Sequence, residues 1–350
     1  MSRIDPANTR IAEMMGKSNL SARPKGKTST FLVTGGAGFI GSNITLALLQ
    51  MGQRVRVLDD LSTGKKANID FIGEFMKSRG IDPNLFEFVW ADIRDRKACS
   101  QVVKGADFVL HQAALGSVPR SIADPISTNA VNIDGTLNML VASQENKVKT
   151  FVFASSSSVY GDSENLPKKE GEEGNPLSPY AVTKAAGDMY LRIFRQLYNL
   201  RTVGLRYFNV FGPRQDPHSQ YAAVIPLFIK GVLQGKPPTI YGNGNQSRDF
   251  TYVDNVVLAN IMACFANKEA VGITYNIACG TPITVNDLYW KICKIIGKEL
   301  APKYAKSRPG DILHSNADIT LAKEALSFEP IVDIDEGLKL TVDWYKANIK

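Results

Sequence analysis

Six short apolar runs punctuate the first two thirds of this chain: Thr30–Thr34, Arg54–Asp59, Phe86–Trp90, Phe108–His111, Thr150–Ala154 and Thr202–Tyr207. They are rich in Val, Leu and Phe and too short for helices, so each reads as a buried strand. Between them lie longer amphipathic stretches, among them Ser42–Met51, Asn129–Asn146 and Pro179–Tyr198, which read as helices. Strands alternating with helices predict a parallel sheet covered on both faces, an α/β doubly wound architecture. After Tyr207 the rhythm breaks into loops containing Gly and Pro. Helices are expected near Ala222–Gln234, Val253–Ala266, Val285–Ile296 and Leu338–Ala347, in a smaller lobe of mixed structure.

Ahead of the first run, Ile4–Gly16 suits a short helix and Ser18–Thr30 reads as a linker, so residues 1–29 form an N-terminal extension. That extension explains most of the chain's basic balance. Of the formal charge of +7, residues 1–27 carry +4, and the remainder contains no basic block. The distribution argues against a nucleic-acid partner and suits an ordinary solvated surface able to accept an anionic substrate. No run of 18 apolar residues and no signal-peptide pattern is present, so no membrane partner is expected and the location predicted is cytoplasmic. Cys99, Cys264, Cys279 and Cys293 are widely spaced, which predicts buried, reduced thiols rather than disulfides or a metal site.

The turn after the first run is Thr34-Gly35-Gly36-Ala37-Gly38-Phe39-Ile40-Gly41. Gly35 permits the tight turn, Gly38 lets the backbone approach a pyrophosphate, and Gly41 permits close helix packing. The following helix N-terminus offers amides and a positive dipole to the anion. The second run ends at Asp59, 18 residues after Gly41, where a carboxylate can accept from both hydroxyls of an adenosine ribose. This Rossmann-type pattern favours NAD over NADP, whose 2′-phosphate Asp59 would repel; Lys65 and Lys66 nearby keep the alternative in view.

Tyr180-Ala181-Val182-Thr183-Lys184 places a phenol and an ammonium on one face of a helix. A tyrosine of pKa about 10 is a weak base at neutral pH, and a fixed cation nearby lowers that value. Ser156, in the Ser-rich segment that follows the fifth run, stands 24 residues before Tyr180 at the carboxyl edge of the sheet.

With these three residues and the glycine turn, the chain from about Thr30 onward resembles the extended short-chain dehydrogenase/reductases, specifically their sugar-nucleotide epimerases. The resemblance implies Tyr180 as acid/base, Lys184 as its activator and a ligand of the nicotinamide ribose, and Ser156 as partner of the reacting oxygen. It implies NAD as cofactor, held by Gly35, Gly38, Phe39, Ile40, Gly41, Asp59, Asp92, Ile93, Gln112, Ala113, Ala114, Tyr180 and Lys184. Residues 30–207 would be the NAD-binding domain. Residues 208–350 would be mainly the nucleotide-sugar lobe, with some segments returning to the sheet. A lone histidine, His111, is more readily structural than catalytic.

In that family Tyr180 would remove the 4-hydroxyl proton while C4 gives hydride to NAD; the 4-ketose then turns over and is reduced on its other face. Dehydratases and decarboxylases on the same scaffold carry carboxylates where this chain has Ser157 and Ser158, which leaves 4-epimerisation as the expected reaction. Arg248 and Arg308 match positions that hold a UDP diphosphate, Asp311 a uridine-ribose ligand, and Tyr241 a stacking partner for uracil. Asn209, Ala223 and Val224 fall near the sugar and phosphates.

Leu115–Ser121, containing Gly116 and Ser117, and Pro213–Pro217 look like the subgroup preferring N-acetylated sugars. Gly116, Ser157, Gln215, Ala223 and Ser315 would border the acetamido group. Ser315 stands where enzymes restricted to UDP-glucose and UDP-galactose tend to carry tyrosine. The expected substrates are therefore UDP-N-acetylglucosamine and UDP-N-acetylgalactosamine. The alternatives are a UDP-glucose/UDP-galactose epimerase and a non-catalytic dinucleotide sensor. The resemblance also implies a homodimer through Asn129–Asn146 and Pro179–Tyr198.

Overall fold

The computed structural model describes residues 28–217, 223–307 and 313–348. The expected Ile4–Gly16 helix, most of the linker, and the candidate ligands Arg308 and Asp311 lie outside the described residues.

All six apolar runs are strands: β1 (Thr30–Thr34), β2 (Arg54–Asp59), β3 (Phe86–Trp90), β4 (Phe108–His111), β5 (Thr150–Ser156) and β6 (Thr202–Tyr207). Between them run α1 (Phe39–Gln50), α2 (Lys66–Arg79), α3 (Arg96–Val103), α4 (Val118–Ala123), α5 (Pro125–Asn129), α6 (Gly135–Glu145) and α7 (Pro179–Tyr198). Shorter strands follow: β7 (Val210–Phe211), β8 (Thr239–Tyr241), β9 (Ser247–Arg248) and β10 (Thr251–Tyr252). The rest of the chain forms β11 (Ile273–Ile277), β12 (Ile283–Thr284), β13 (Lys303–Ala305) and β14 (His314–Ser315). Its helices are α8 (Val224–Leu233), α9 (Val253–Cys264), α10 (Val285–Ile296), α11 (Thr320–Leu326) and α12 (Ile334–Asn348).

The main sheet has the order β3-β2-β1-β4-β5-β6-β11, and every pair in it is parallel. Side chains alternate along each inner strand. Phe31 and Val33 of β1 join one core with α1 and α9, while Leu32 joins the opposite core with α3, α6 and α7. The second half of the chain thus contributes to the sheet twice: β11 is its seventh strand, and α9, buried along its whole length, covers one face. On the other face α7 lies close to β5, because Gly187 has no side chain; a Cβ there would stand 2.4 Å from the Phe153 ring.

Beyond the sheet, β9 carries β12 antiparallel on one side and β14 parallel on the other, and β8 pairs with β13. These small mixed sheets and α8, α10 and α12 make up the smaller lobe. Asn276 of β11 stitches it to the loop that leads into α7. Its side chain accepts from the Tyr160 hydroxyl (2.7 Å) and donates to the carbonyls of Lys168 and Asp318 (both 3.0 Å).

Three expectations need correction. β3 is not buried: it is the sheet's edge, and Trp90 is 74% exposed. Asn129–Asn146 is not one regular helix, because Ala130–Asp134 widens into a π-helical turn between α5 and α6. Cys99, Cys264 and Cys293 are buried free thiols, but Cys279 is only partly covered. No helix among the described residues is long and apolar enough to cross a membrane.

Asn276→Leu should remove three hydrogen bonds and leave the Tyr160 hydroxyl, which still accepts from Arg206, without an acceptor for its own proton. We expect a loss of about 3 kcal/mol in urea unfolding; a change below about 1 kcal/mol would show that water replaces those bonds.

Candidate active site

β1 and β4 are neighbours although β2 and β3 come between them in the chain, so the connections leave the pair in opposite directions and open a crevice at its carboxyl end. A cleft of about 420 Å³ occupies it. All the residues expected to hold a dinucleotide line this one cleft: Gly35, Gly38, Phe39, Ile40, Gly41, Asp59, Asp92, Ile93, Gln112, Ala113, Ala114, Tyr180 and Lys184.

The glycine turn explains the shape of the floor. Gly35 has φ +68°, and a Cβ there would meet the Ala113 amide nitrogen at 2.7 Å. A Cβ on Gly41 would lie 2.2 Å from the Gly35 carbonyl oxygen, so neither position tolerates a side chain. Gly38 caps α1 without a side-chain hydrogen bond, and no acid stands in the first turn, so the helix N-terminus is electrostatically suited to a phosphate. The bare backbone and uncapped helix fit the pyrophosphate of NAD.

Asp59 is buried at the end of β2, where its carboxylate accepts from the amides of Leu61 (2.8 Å) and Ala37 (2.9 Å). Burial raises its pKa, and those two hydrogen bonds oppose the rise. The cations expected to favour a 2′-phosphate are engaged elsewhere: Lys65 with Asp216 and Lys66 with Asp70, each at 2.6 Å. Asp92, at the end of β3, is held by Arg94, which keeps its carboxyl below the usual range.

Tyr180 opens α7 directly behind the Ser178 cap and Pro179, which fixes the phenol at the mouth of the helix. Burial raises its pKa, and a hydrogen bond with Ser156 opposes the rise. Ser156 also accepts from the Ser158 amide at 3.1 Å. Lys184, one turn on, donates to the Ala154 carbonyl at 2.6 Å and lies 5.8 Å from the Tyr180 ring. Burial lowers its pKa to about 8, with Asp188 opposing. Lys184 and Tyr180 thus share one face of α7 at the cleft, as their spacing predicted.

His111 is structural, as its bonding explains. Thr136 donates to the Asn132 carbonyl and so accepts from His111 Nε2 (3.0 Å); Thr34 accepts from the Ala113 amide and donates to His111 Nδ1 (2.7 Å). This network assigns a neutral ring. Burial, aided by Lys184, pushes its pKa down to about 3.

Gly116 and Gln215 line the same cleft. Asn209, Val224, Tyr241 and Arg248 line a second cavity of about 500 Å³, between α8 and the small sheets. Ala223 caps α8 beside Val224, and Ser315 pairs in register with Arg248. Ser117, Ser156, Ser157, Ala223 and Ser315 line neither cavity; the Ser117 hydroxyl caps α4 by accepting from Arg120.

Sequence reading missed several contributors. Asn132 accepts from the Leu115 amide (2.8 Å) and donates to Thr183, thanks to the π-helical turn, which leaves no mark in residue spacing. Asp188 and Arg206 form a buried pair behind Lys184, and Tyr207 reaches the cleft while donating to Gln112 (3.1 Å).

A family model for the NAD dependent epimerase/dehydratase family matches residues 31–278. The chain is 37% identical over 317 residues to a UDP-glucose 4-epimerase of Mycolicibacterium smegmatis, covering 90% of this chain and 98% of that protein. It is similar to the structure of a UDP-N-acetylglucosamine 4-epimerase from Methanobrevibacter ruminantium in complex with UDP-N-acetylmuramic acid. That likeness has a TM-score of 0.85 at 42% identity, over 92% of this chain and 100% of that one. The Thermus thermophilus UDP-glucose 4-epimerase complex with NAD gives a TM-score of 0.79 at 36% identity, over 91% and 100% of the two chains.

Gly41→Val should drive a branched side chain into the Gly35 carbonyl and close the floor of the cleft. NAD affinity, read by fluorescence titration, should fall by at least roughly tenfold, or about 1.4 kcal/mol; unchanged affinity would remove the turn from the dinucleotide site.

Proposed function

The chain belongs to the NAD dependent epimerase/dehydratase family, and from that premise we propose that it inverts C4 of UDP-sugars, interconverting UDP-N-acetylglucosamine and UDP-N-acetylgalactosamine. The observation that carries the reaction is the placement of Tyr180 and Lys184, one turn apart on α7, together in the wall of the dinucleotide cleft. Bound NAD supplies a hydride acceptor at C4 and returns the hydride to the opposite face.

In this reading the chain's own groups move a proton and hold the sugar. Tyr180 takes the proton of the 4-hydroxyl and gives it back, while Ser156 fixes the reacting oxygen. Lys184 binds the cofactor ribose and lends positive charge. Ser157 and Ser158 adjoin Ser156 in place of the carboxylates an elimination would need. Arg248 belongs to the second cavity, and its guanidinium suits a diphosphate. Residues 30–207 would then bind mainly NAD and residues 208–350 mainly the nucleotide sugar. Four unpaired cysteines fit a reducing, cytoplasmic setting.

The sugar assignment rests on Ser315, whose strand pairs in register with Arg248 and whose small side chain would leave space for an acetamido group. The second reading, UDP-glucose and UDP-galactose as main substrates, draws on relatives bearing that name. Parallel turnover of UDP-N-acetylglucosamine and UDP-glucose decides between them, with higher kcat/KM expected for the acetylated sugar. Ser315→Tyr should reduce the acetylated rate at least roughly tenfold more than the plain one; equal losses would remove Ser315 from the pocket.

A homodimer fits the same reading. Val182, Met189, Ile193 and Leu197 of α7 are exposed, as are Ile122 of α4 and Ile126 of α5, an apolar face of the kind a two-fold helical bundle buries. Light scattering should give twice the chain mass, and the double variant Met189→Glu/Leu197→Glu should give a folded monomer. A wild-type monomer would leave that face without a copy of itself to cover it.

A further inference from the structure

Tyr180, Lys184 and Asp188 follow one another at intervals of four residues along α7 and so share a face of the helix. That face packs on β5 and β6. Lys184 is 3% exposed, and the Asp188 and Arg206 side chains are 10% and 8% exposed. Asp188 is gripped by Arg206 of β6: both Nε (3.1 Å) and Nη2 (3.0 Å) reach its Oδ2. Arg206 in turn pairs with Glu173, a partly exposed residue of the loop leading into α7, and donates to the Tyr160 hydroxyl at 3.2 Å. From cleft to surface the signs alternate: Lys184 positive, Asp188 negative, Arg206 positive, Glu173 negative.

We propose that Asp188 is a positioning residue for the epimerisation: fixed by Arg206 and Glu173, its carboxylate is the counter-charge that keeps the Lys184 ammonium ionised and turned into the dinucleotide cleft. The inference rests on Lys184 having the role assigned under the proposed function. Its physical ground is the cost of burying an ammonium whose close hydrogen bond is to a neutral carbonyl, that of Ala154. The other groups facing Lys184 give it no counter-charge. Tyr180, on its own helix, is the proton carrier that the ammonium serves rather than a fixed charge, and from β4 comes His111, whose pKa burial pushes down to about 3; β5 offers the Phe153 ring at 4.8 Å. Asp188 acts in the required sense, opposing the fall of the Lys184 pKa. A buried ion pair is often no more stabilising than apolar packing, so fold stability alone does not explain this one directly behind the cofactor lysine.

The test uses the full chain loaded with NAD. UDP-sugar epimerisation is followed from about pH 6 to pH 10, where the alkaline limb of kcat/KM reports loss of the Lys184 proton. Asp188→Asn should move that limb down by about one pH unit, giving a roughly tenfold greater rate loss at pH 9 than at pH 6. Asp188→Glu should restore it. Glu173→Gln, at the solvent end, should move the limb the same way by a few tenths of a unit and keeps the test open if Asp188→Asn does not fold. A merely structural Asp188 would lower melting temperature and depress the rate equally at every pH, and an unmoved limb in both variants overturns the proposal. If the wild type converts no UDP-sugar, the functional reading fails by itself. The Lys184 15Nζ titration by NMR then decides the proposal: a lower midpoint in the variants upholds it, and an equal one overturns it.

Discussion

A parallel sheet buried on both faces can bind a ligand only at its edge, and here that edge is open where β1 and β4 lie side by side. Much of what faces the cleft is brought there by a strand ending at that rim. β1 delivers the glycine turn, β2 ends in Asp59, β3 leads to Asp92, β4 leads to Gln112, and β5 carries Ala154 and Ser155. α7 then brings Tyr180 and Lys184 back over the carboxyl end of β5. The cleft is therefore a consequence of connectivity.

Burial at that rim has an electrostatic cost, because the groups needed there are polar. Asp59 is compensated by two backbone amides, His111 by becoming neutral between two threonine hydroxyls, and Lys184 by a carbonyl and the charge of Asp188. These are different answers to the same desolvation penalty. A neutral ring suffices where a side chain only bridges strands. A retained charge is what the role proposed for Lys184 requires.

How much of this was legible beforehand follows from what each residue type reports. Glycine reports the backbone directly, so Gly35, Gly38 and Gly41 marked the cleft floor, and the apolar runs marked six strands with bounds that agree closely. β11 went unnamed because Ile273–Ile277 is short and interrupted by Thr274 and Asn276. The edge position of β3 depends on strand order, which spacing does not encode. Asp188 and Arg206 carry no mark of their pairing in the sequence, since burial of a charged residue is decided by which residue the fold places opposite it. The π-helical turn at Ala130–Asp134 leaves the apolar pattern of a helix intact and so leaves no sequence mark.

The relation between the two cavities depends on one further buried carboxylate. Asp249, fully enclosed, accepts from the amides of Gly280 (2.9 Å), Cys279 (3.1 Å) and Ala317 (3.4 Å), while its own amide donates to the Ser315 carbonyl. Cys279 and Gly280 follow β11 of the main sheet, whereas Ser315 and Ala317 belong to the strand segment beside Arg248. A single residue thus ties the sheet that carries the cleft to β9 and β14, which carry Arg248 and Ser315. Reaction and selectivity, if they reside where proposed, are then mechanically distinct: the first depends on α7 against β5, the second on the register of β14 against β9. A change of sugar preference requires only that second register or its side chains to alter, which is a physical reason for one scaffold to accompany several UDP-sugars.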